Sequence, residues 1–560
     1  MGILTLPPEL LEIILNLSRP YNFENLALTC KQIYHAALHM IAHHNNLRKK
    51  YRRFKFGSET AESIPELLGE IAADPIIASY IVHPNFGEPR CPDTQRLSHT
   101  FPKGISDTLA PLVKQSRHLA ALNNDPDSTA TWLKNIAQHT DEDERPFDGP
   151  ITFLLSLLPN VESLILPEIR HECLDTGGEE GEFNRSVHDL LHLLVTRAND
   201  AKLDDQPLQK LHTILPTPNI LEQSGVNMEI ILPFLALNSL REVYHECGVY
   251  EPSHDDCTHY PTLGKQVEVM KLKDYVITSG GAAVLFKNMQ RLRVLELEYS
   301  MKDEIGYGWE INNFIWCMRK HIAGNLERLV LSAGQVWPDS ALMECSMRAF
   351  KVLTHLELDT VFFVNSTGSM GNLIDVEEES EDESEEESEG ESEEEKDDGF
   401  DEEVADDDGY DESDDNEKRD NEQEDSNSQQ GNEGEDQDET AQADDDENEH
   451  LAQESDQEDY DSCDDHDRDG KWRLVSLLPP SLQTLIIHAP ASRRDVKCLK
   501  RLFDGFEDRR EANLPLLTKV KVVMRIRDCF GTHLDDYQQH LDQARADFGD
   551  RSFIEFTSWQ

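Results

Sequence analysis

Two hydrophobic periodicities divide the chain. Near the N-terminus apolar residues recur at helical spacing: Leu10, Leu11, Ile14, Leu15 and Leu17 follow Pro7, Pro8 and Glu9. Proline suits the first helical position, where no backbone donor is needed, and a carboxylate suits the positive end of the helix dipole. The spacing predicts a helix that Pro20 stops, then a second from Asn22 or Glu24 carrying Leu26, Leu28, Cys30 and Ile33. Two helices of that length cannot close a core alone, which predicts packing against a partner.

From Val161 onward the period changes to two. Apolar triplets spaced three and two residues apart appear as Val161/Leu164/Leu166, Val267/Met270/Leu272, Leu292/Leu295/Leu297, Leu326/Leu329/Leu331, Leu353/Leu356/Leu358, Leu482/Leu485/Ile487 and Leu517/Val520/Val522, with weaker versions from Leu208 and Leu240. Each predicts a short strand with one buried face, so Glu296 and Glu357 are expected to face solvent and to tolerate lysine. Successive starts lie 47, 32, 27, 25, 34, 27, 129 and 35 residues apart. Between them, helix-compatible stretches such as 281–286 and 311–322 complete an α/β pattern. The tail Phe553-Ile554-Glu555-Phe556 predicts a last capping strand, after a polar helix about Leu534–Ala546.

Between these two regions, residues 46–150 read as a helical linker. Amphipathic helices are expected at 64–73, around Leu109–Leu122 and around Trp132–Ile136, and a segment entering a strand at 76–81. Residues 48–55 hold six basic residues in eight, with Tyr51 and Phe54 between them. That run fits a solvated junction helix, a nuclear-localisation signal or a nucleic-acid contact.

The net charge of −59 alters the picture because it is unevenly spread. Residues 375–469 hold 51 acidic and four basic residues, which accounts for −47 and leaves a mildly acidic remainder. Like-charge repulsion and the scarcity of apolar residues predict that this segment is a disordered insertion. Removing its 95 residues reduces the anomalous spacing of 129 to 34, so the insertion falls within one inter-strand connection. Ser380, Ser384, Ser388 and Ser392 each have glutamate three residues on, which makes them phosphorylation candidates for an acidophilic kinase. The insertion is expected to act as a solubilising element or to attract basic proteins such as histones. No broad basic surface remains for direct nucleic-acid binding.

The ten cysteines include no pair at the usual zinc spacing, and their scatter predicts reduced thiols in the nucleus or cytoplasm. No apolar run reaches the length of a membrane span, and a secretory signal is absent. The cluster His245, Cys247, His254, Asp255, Asp256, Cys257 and His259 holds metal-ligand types, but at no common spacing, and is expected to be a polar loop. No nucleophile elbow, phosphate-binding glycine loop or zinc-protease motif occurs. These observations predict no metal, no cofactor and no enzymatic activity.

The opening residues Leu6-Pro7-Pro8-Glu9-Leu10-Leu11, with Ile14-Leu15 and Leu26-Ala27-Leu28-Thr29-Cys30-Lys31-Gln32-Ile33-Tyr34, resemble the F-box. A leucine usual in the first helix is Glu12 here, and the aromatic near the end is Tyr34. The resemblance covers residues 4 to about 45, and residues 64–81 resemble more weakly the segment after the F-box in fungal members. The period-two triplets resemble an irregular leucine-rich-repeat array. The polar residue usual after such a strand is replaced by Ser300 and Ser332.

Together these resemblances imply an F-box at 1–45, the linker at 46–150, repeats at 151–374, the insertion at 375–469, and final repeats with a C-terminal cap at 470–560. They further imply a substrate-recognition subunit of a Skp–cullin–F-box ubiquitin ligase. Leu6, Pro7, Pro8, Glu9, Leu10, Leu11, Ile14, Leu15, Leu17, Leu26, Leu28, Cys30 and Ile33 would then meet the Skp adaptor, and the repeats a protein target. The alternative expectation is an acidic histone-binding or chromatin scaffold unconnected with ubiquitin.

Overall fold

The structure, a computed structural model, describes residues 3–55, 64–87, 105–122, 126–137, 149–166, 179–216, 226–227, 231–250, 263–299, 311–333, 346–363, 474–490, 499–500, 502–525, 539, 542, 545–546 and 554–559. It separates into one unit of Met1–Val376 with Cys463–Gln560 and another of Glu377–Ser462. Ser380, Ser384, Ser388 and Ser392, the His254–His259 part of the metal-type cluster and most of the expected helix at 534–546 lie outside the described residues.

The first unit opens with helices α1 (Pro8–Leu17), α2 (Phe23–Ala27) and α3 (Lys31–Tyr51). Pro8 stands in the first turn of α1, and the helix ends at Leu17, with Pro20 two residues beyond the cap residue Ser18. There the Ser18 hydroxyl donates to the Leu15 carbonyl at 2.7 Å. The expected second helix is two helices. Thr29 Oγ1 donates to the Leu26 carbonyl at 2.7 Å, and Cys30 is extended (φ −158°, ψ 163°), so Leu28 and Cys30 lie between the helices and Ile33 falls in the first turn of α3. A threonine hydroxyl that captures a backbone carbonyl offers the chain an alternative to continuing the helix.

The first two helices do not close a core by themselves; α3 completes one within the chain. Its Ile33, Ala37 and Met40 join Leu15, Phe23 and Ala27 in a small buried cluster of their own. Phe23 is almost fully buried there. Farther along, α3 places Leu47 and Tyr51 in a second and much larger core.

That larger core also takes in much of the stretch read as a linker. Helices α4 (Ile64–Ala73), α5 (Ile76–Tyr80), α6 (Ile105–Lys114), α7 (Leu119–Leu122), α8 (Pro126–Ala137) and α9 (Gly149–Leu155) bury Leu67, Leu68, Tyr80, Leu109, Trp132 and Phe153 in it. The segment at 76–80 is helical, not the start of a strand. Asp74 Oδ1 accepts from the Ile76 amide at 3.3 Å, and the Ser79 hydroxyl donates to the Ile76 carbonyl at 2.6 Å.

The rest is organised by one eleven-stranded sheet. Its strands are β1 (Ser163–Ile165), β2 (Thr213–Leu215), β3 (Val226–Asn227), β4 (Glu242–Tyr250), β5 (Val269–Ile277), β6 (Val294–Tyr299), β7 (Arg328–Ala333), β8 (His355–Asp359), β9 (Thr484–Pro490), β10 (Lys519–Arg525) and β11 (Ile554–Trp559). Apart from β3, which adds to β4, they lie side by side in chain order. Every pair is parallel. The seven full triplets and the weaker version from Leu240 fall at these strands, and the expected capping strand is β11; the version from Leu208 is out of register, because Leu211 and Ile214 take the equivalent places at β2.

The register aligns Leu164, Ile214, Val243, Met270, Leu295, Leu329, Leu356, Leu485, Val520 and Ile554 in one row across the sheet. All but Ile554, which packs partly buried, are buried. Parallel neighbours need a crossover, and these connections carry α10 (Glu179–Ala198), α11 (Leu232–Leu235), α12 (Ser279–Lys287), α13 (Ile311–His321), α14 (Leu474–Leu477) and α15 (Phe506–Asn513). Thr278 caps α12 by accepting from the Gly281 amide at 3.1 Å. Leu285 and Phe286 of α12 and Phe314 and Ile315 of α13 join the core of the buried row, so these helices cover the apolar face of the sheet.

The twenty-residue α10 is not among the elements the sequence pattern predicts, although Val187, Leu190, Leu191, Leu194 and Val195 repeat at helical spacing and are buried. Between β8 and β9, His355 pairs with Thr484 and Leu356 with Leu485. The whole span between these strands, acidic segment included, is therefore one connection.

Candidate interaction surfaces

The N-terminal helices leave a row of large apolar side chains in solvent. On α1, Leu10, Ile13 and Leu17 are exposed, spaced three and four residues apart on one helix face. On α3, Tyr34 and Leu38 are exposed at a spacing of four, and Leu28 is exposed in the turn before it. Exposed Glu12 and His39 meet at 3.4 Å, so the outer faces of α1 and α3 join at that contact.

The residues expected to meet an adaptor fall into three groups by exposure. Leu10, Leu17 and Leu28 are exposed along with Pro7, Pro8 and Glu9, while Leu6, Ile14, Leu26 and Cys30 are half-buried. Leu11, Leu15 and Ile33 are buried within the chain. The apolar surface of α1 is wider than one contact face, and the half carrying Leu15 is taken by Phe23 and Ile33. Ile13, Tyr34 and Leu38 belong to the exposed set although none of them is among the residues expected to meet an adaptor; Tyr34 closes the motif match.

Polar contacts fasten this helical unit to the body carrying the sheet. Tyr21 Oη donates to the Asn160 carbonyl at 3.4 Å, and the Lys210 ammonium lies 4.7 Å from the Tyr21 ring centre. Lys210 Nζ donates to Asn160 Oδ1 at 2.7 Å, and Asn160 Nδ2 to the Ser79 carbonyl at 2.8 Å. Burial, reinforced by Glu162 and opposed by Arg52, pushes the Tyr21 phenol up to about 12. Deeper in, His44 Nδ1 and Tyr80 Oη are 2.7 Å apart. The basic run at 48–55 belongs to this junction: Arg48 pairs with Glu24, Lys50 with Glu70 at 2.6 Å, and Tyr51 Oη donates to Glu70 at 2.7 Å.

The second surface is the face of the sheet opposite the helices. One residue beyond the buried row, Lys271, Glu296, Val330, Glu357 and Ile486 stand in register on β5 to β9. They are half-buried and their charges are interlocked. Glu296 contacts Lys271 at 3.0 Å and Arg328 at 3.0 Å, and Arg328 reaches Glu357 at 3.7 Å. Glu357 also bonds His488 and lies 3.6 Å from His355. Burial alone would raise the Glu357 carboxyl. The hydrogen bond with His488, the nearby His355 ring and the positive charge of Arg328 outweigh it and hold this group well below the usual carboxylate range. The expectation that Glu296 and Glu357 stand free in solvent is therefore corrected: a lysine at either position would meet Arg328 instead of pairing with it.

Among the described residues no group of three histidine, cysteine or acidic side chains is placed to hold a metal ion. His245 of the metal-type cluster is buried on β4, with its Nδ1 2.6 Å from Tyr275 Oη. No helix of the described residues is long and apolar enough to cross a membrane. No model of a protein family matches the sequence, and neither does any curated protein.

Proposed function

We propose that this protein is the substrate-recognition subunit of a Skp–cullin–F-box ubiquitin ligase. The N-terminal helices dock on the Skp adaptor, which links the chain to the cullin core. The parallel array, read as an irregular leucine-rich-repeat solenoid, presents a protein target on its open face. The chain supplies no chemistry itself; it raises the effective concentration of the target near the conjugating enzyme. The observation that carries this reading is the exposed row Leu10, Ile13 and Leu17 inside a motif that resembles the F-box. The contacts from Tyr21 and His44 to the body support it, because a receptor must hold adaptor and target at a set separation. Nucleus and cytoplasm both suit this role.

The test is to mix the purified chain with recombinant Skp adaptor and follow the pair by size-exclusion chromatography with light scattering. A one-to-one complex is expected. Failure to associate at micromolar concentration refutes the assignment.

A second reading, an acidic scaffold for histones or other basic proteins, is favoured by the −47 carried on 375–469. Attraction of that kind weakens steeply with salt, because screening limits it to about 8 Å at physiological ionic strength. Joining Ile374 directly to Gly470 separates the readings. The receptor keeps adaptor binding and its melting temperature, because each doubling of a flexible loop costs only about 0.6 kcal/mol. The scaffold loses histone capture. Unfolding of the shortened chain would overturn the domain division itself.

A further inference from the structure

Away from both surfaces, four polar side chains meet where α6, α7 and α10 converge. Arg117 and His118 lie in the turn between α6 and α7, Arg197 in the last turn of α10, and Gln206 in the loop leading to β2. His118 is 3% exposed and Gln206 4%, whereas Arg197 is half-exposed and Arg117 exposed. Arg117 Nη2 donates to Gln206 Oε1 at 3.3 Å, and Gln206 Nε2 donates to the Asp204 carbonyl at 2.8 Å. Held this way, Arg117 donates from Nε to His118 Nε2 at 3.2 Å.

That bond sets a conflict on the other edge of the ring. A neutral imidazole has one acceptor nitrogen and one N–H, so with Nε2 accepting, Nδ1 carries the proton. His118 Nδ1 lies 3.0 Å from Arg197 Nη1, and arginine only donates. Two donors therefore face each other with no acceptor between them. The other tautomer only moves the conflict to Arg117. Protonating the ring adds a third positive charge, and burial together with Arg117 and Arg197 pushes the imidazole down to about 4. Among the described residues neither guanidinium is in an ion pair with an acidic side chain. The carbonyl end of α10 favours a cation in its last turn, but that does not explain why Arg197 is aimed at an imidazole N–H.

We propose that the edge shared by His118 Nδ1 and Arg197 is a binding site for a phosphate-type oxyanion. Its oxygens accept from the imidazole N–H and from the Arg197 guanidinium, removing the donor–donor conflict. Arg117 adds the second positive charge and fixes the tautomer, and Gln206 fixes Arg117. Two uncompensated guanidiniums favour a dianion over a single carboxylate, and the planar fork of arginine matches phosphate oxygens. Half-exposed Arg197 gives access from solvent on the guanidinium side, while His118 forms the buried wall. The phosphate is either free or carried on a phosphorylated side chain. The inference is independent of the adaptor reading.

Titration calorimetry on the full chain in chloride buffer, with inorganic phosphate, O-phosphoserine and acetate as separate probes, tests it. Saturable one-to-one binding of inorganic phosphate, O-phosphoserine or both is expected, with the preferred probe identifying the source. Arg197→Gln should weaken that binding by about tenfold or more, the size of a lost charge-assisted hydrogen bond, with an unchanged circular dichroism spectrum. Arg197→Lys, which keeps the charge and loses the fork, should fall between the two. Should Arg197→Gln fail to fold, Arg117→Gln on the exposed side replaces it with the same expected weakening. Absence of saturable binding by both phosphate probes overturns the proposal, as does undiminished affinity in the arginine variants. Acetate binding as tightly as phosphate would overturn the assignment of the ligand class.

Discussion

Replacing Leu10, Ile13 and Leu17 together by serine tests whether the outer row of α1 is an interface. These side chains are 45%, 52% and 80% exposed, so that share of each is still in water when the chain is alone. Full burial of a leucine or isoleucine side chain stabilises by about 1.5–3 kcal/mol. Scaled by the exposed fractions, complete burial of the row against an adaptor contributes about 3–5 kcal/mol, or roughly two to three and a half decades in Kd. The fold itself should hardly respond, since surface substitutions shift stability by about 0.5 kcal/mol or less. Leu15→Ala is the matched control. Leu15 is 1% exposed and packs in the cluster with Phe23 and Ile33, so its truncation should destabilise the helical unit by about 2–5 kcal/mol. Adaptor affinity measured by calorimetry, alongside thermal unfolding of each variant, separates the two effects. If the triple-serine variant is folded and binds the adaptor as tightly as the natural chain, α1 does not present the interface and the reasoning fails.

Gly248→Ala should destabilise the sheet, because its new Cβ would stand 2.4 Å from Cζ and 2.6 Å from Cε1 and Oη of Tyr275, a fully buried ring. Overpacking of this kind costs about 1–3 kcal/mol, read as a lower urea midpoint; adding Tyr275→Leu should recover part of it, and strictly additive losses would count against the clash. Stability should also fall as pH drops from 6.5 toward 4. Burial pushes His245 down to about 4, and His118 to the same value with help from Arg117 and Arg197. The unfolded chain therefore binds protons there that the folded chain refuses, by order of 3 kcal/mol for each histidine at pH 4. Glu357, held below the carboxylate range, acts in the same sense: its stabilisation is present above the ordinary carboxylate pKa and is lost as pH falls through the folded value. Urea midpoints flat between pH 7 and 4.5 would contradict the burial of these groups.

The strands were legible because a strand's alternation is a local property. Leu295 and Leu297 flank Glu296 in the sequence as they do in the sheet, and spacing alone located β6. Pro8 at the start of α1, and the acidic run whose removal restores the strand spacing, were equally plain from residue order and charge. Other decisions needed the third dimension. The apolar pattern of α1 covers more than one face, and only Phe23, Ile33, Ala37 and Met40 decide that Leu15 turns inward while Leu10 and Leu17 stay in water. Glu296 and Glu357 alternate outward as expected, but their partners Arg328 and His488 come from neighbouring strands. The same holds for the histidine edge: Arg197 stands 79 positions from His118, and Gln206 stands 89 from Arg117. Periodicity is written within each segment, so the sequence determined the strands and where the charge lies. Electrostatic partners and the division of a helix into inner and outer halves depend on which segments pack together, and that was decided by the tertiary structure.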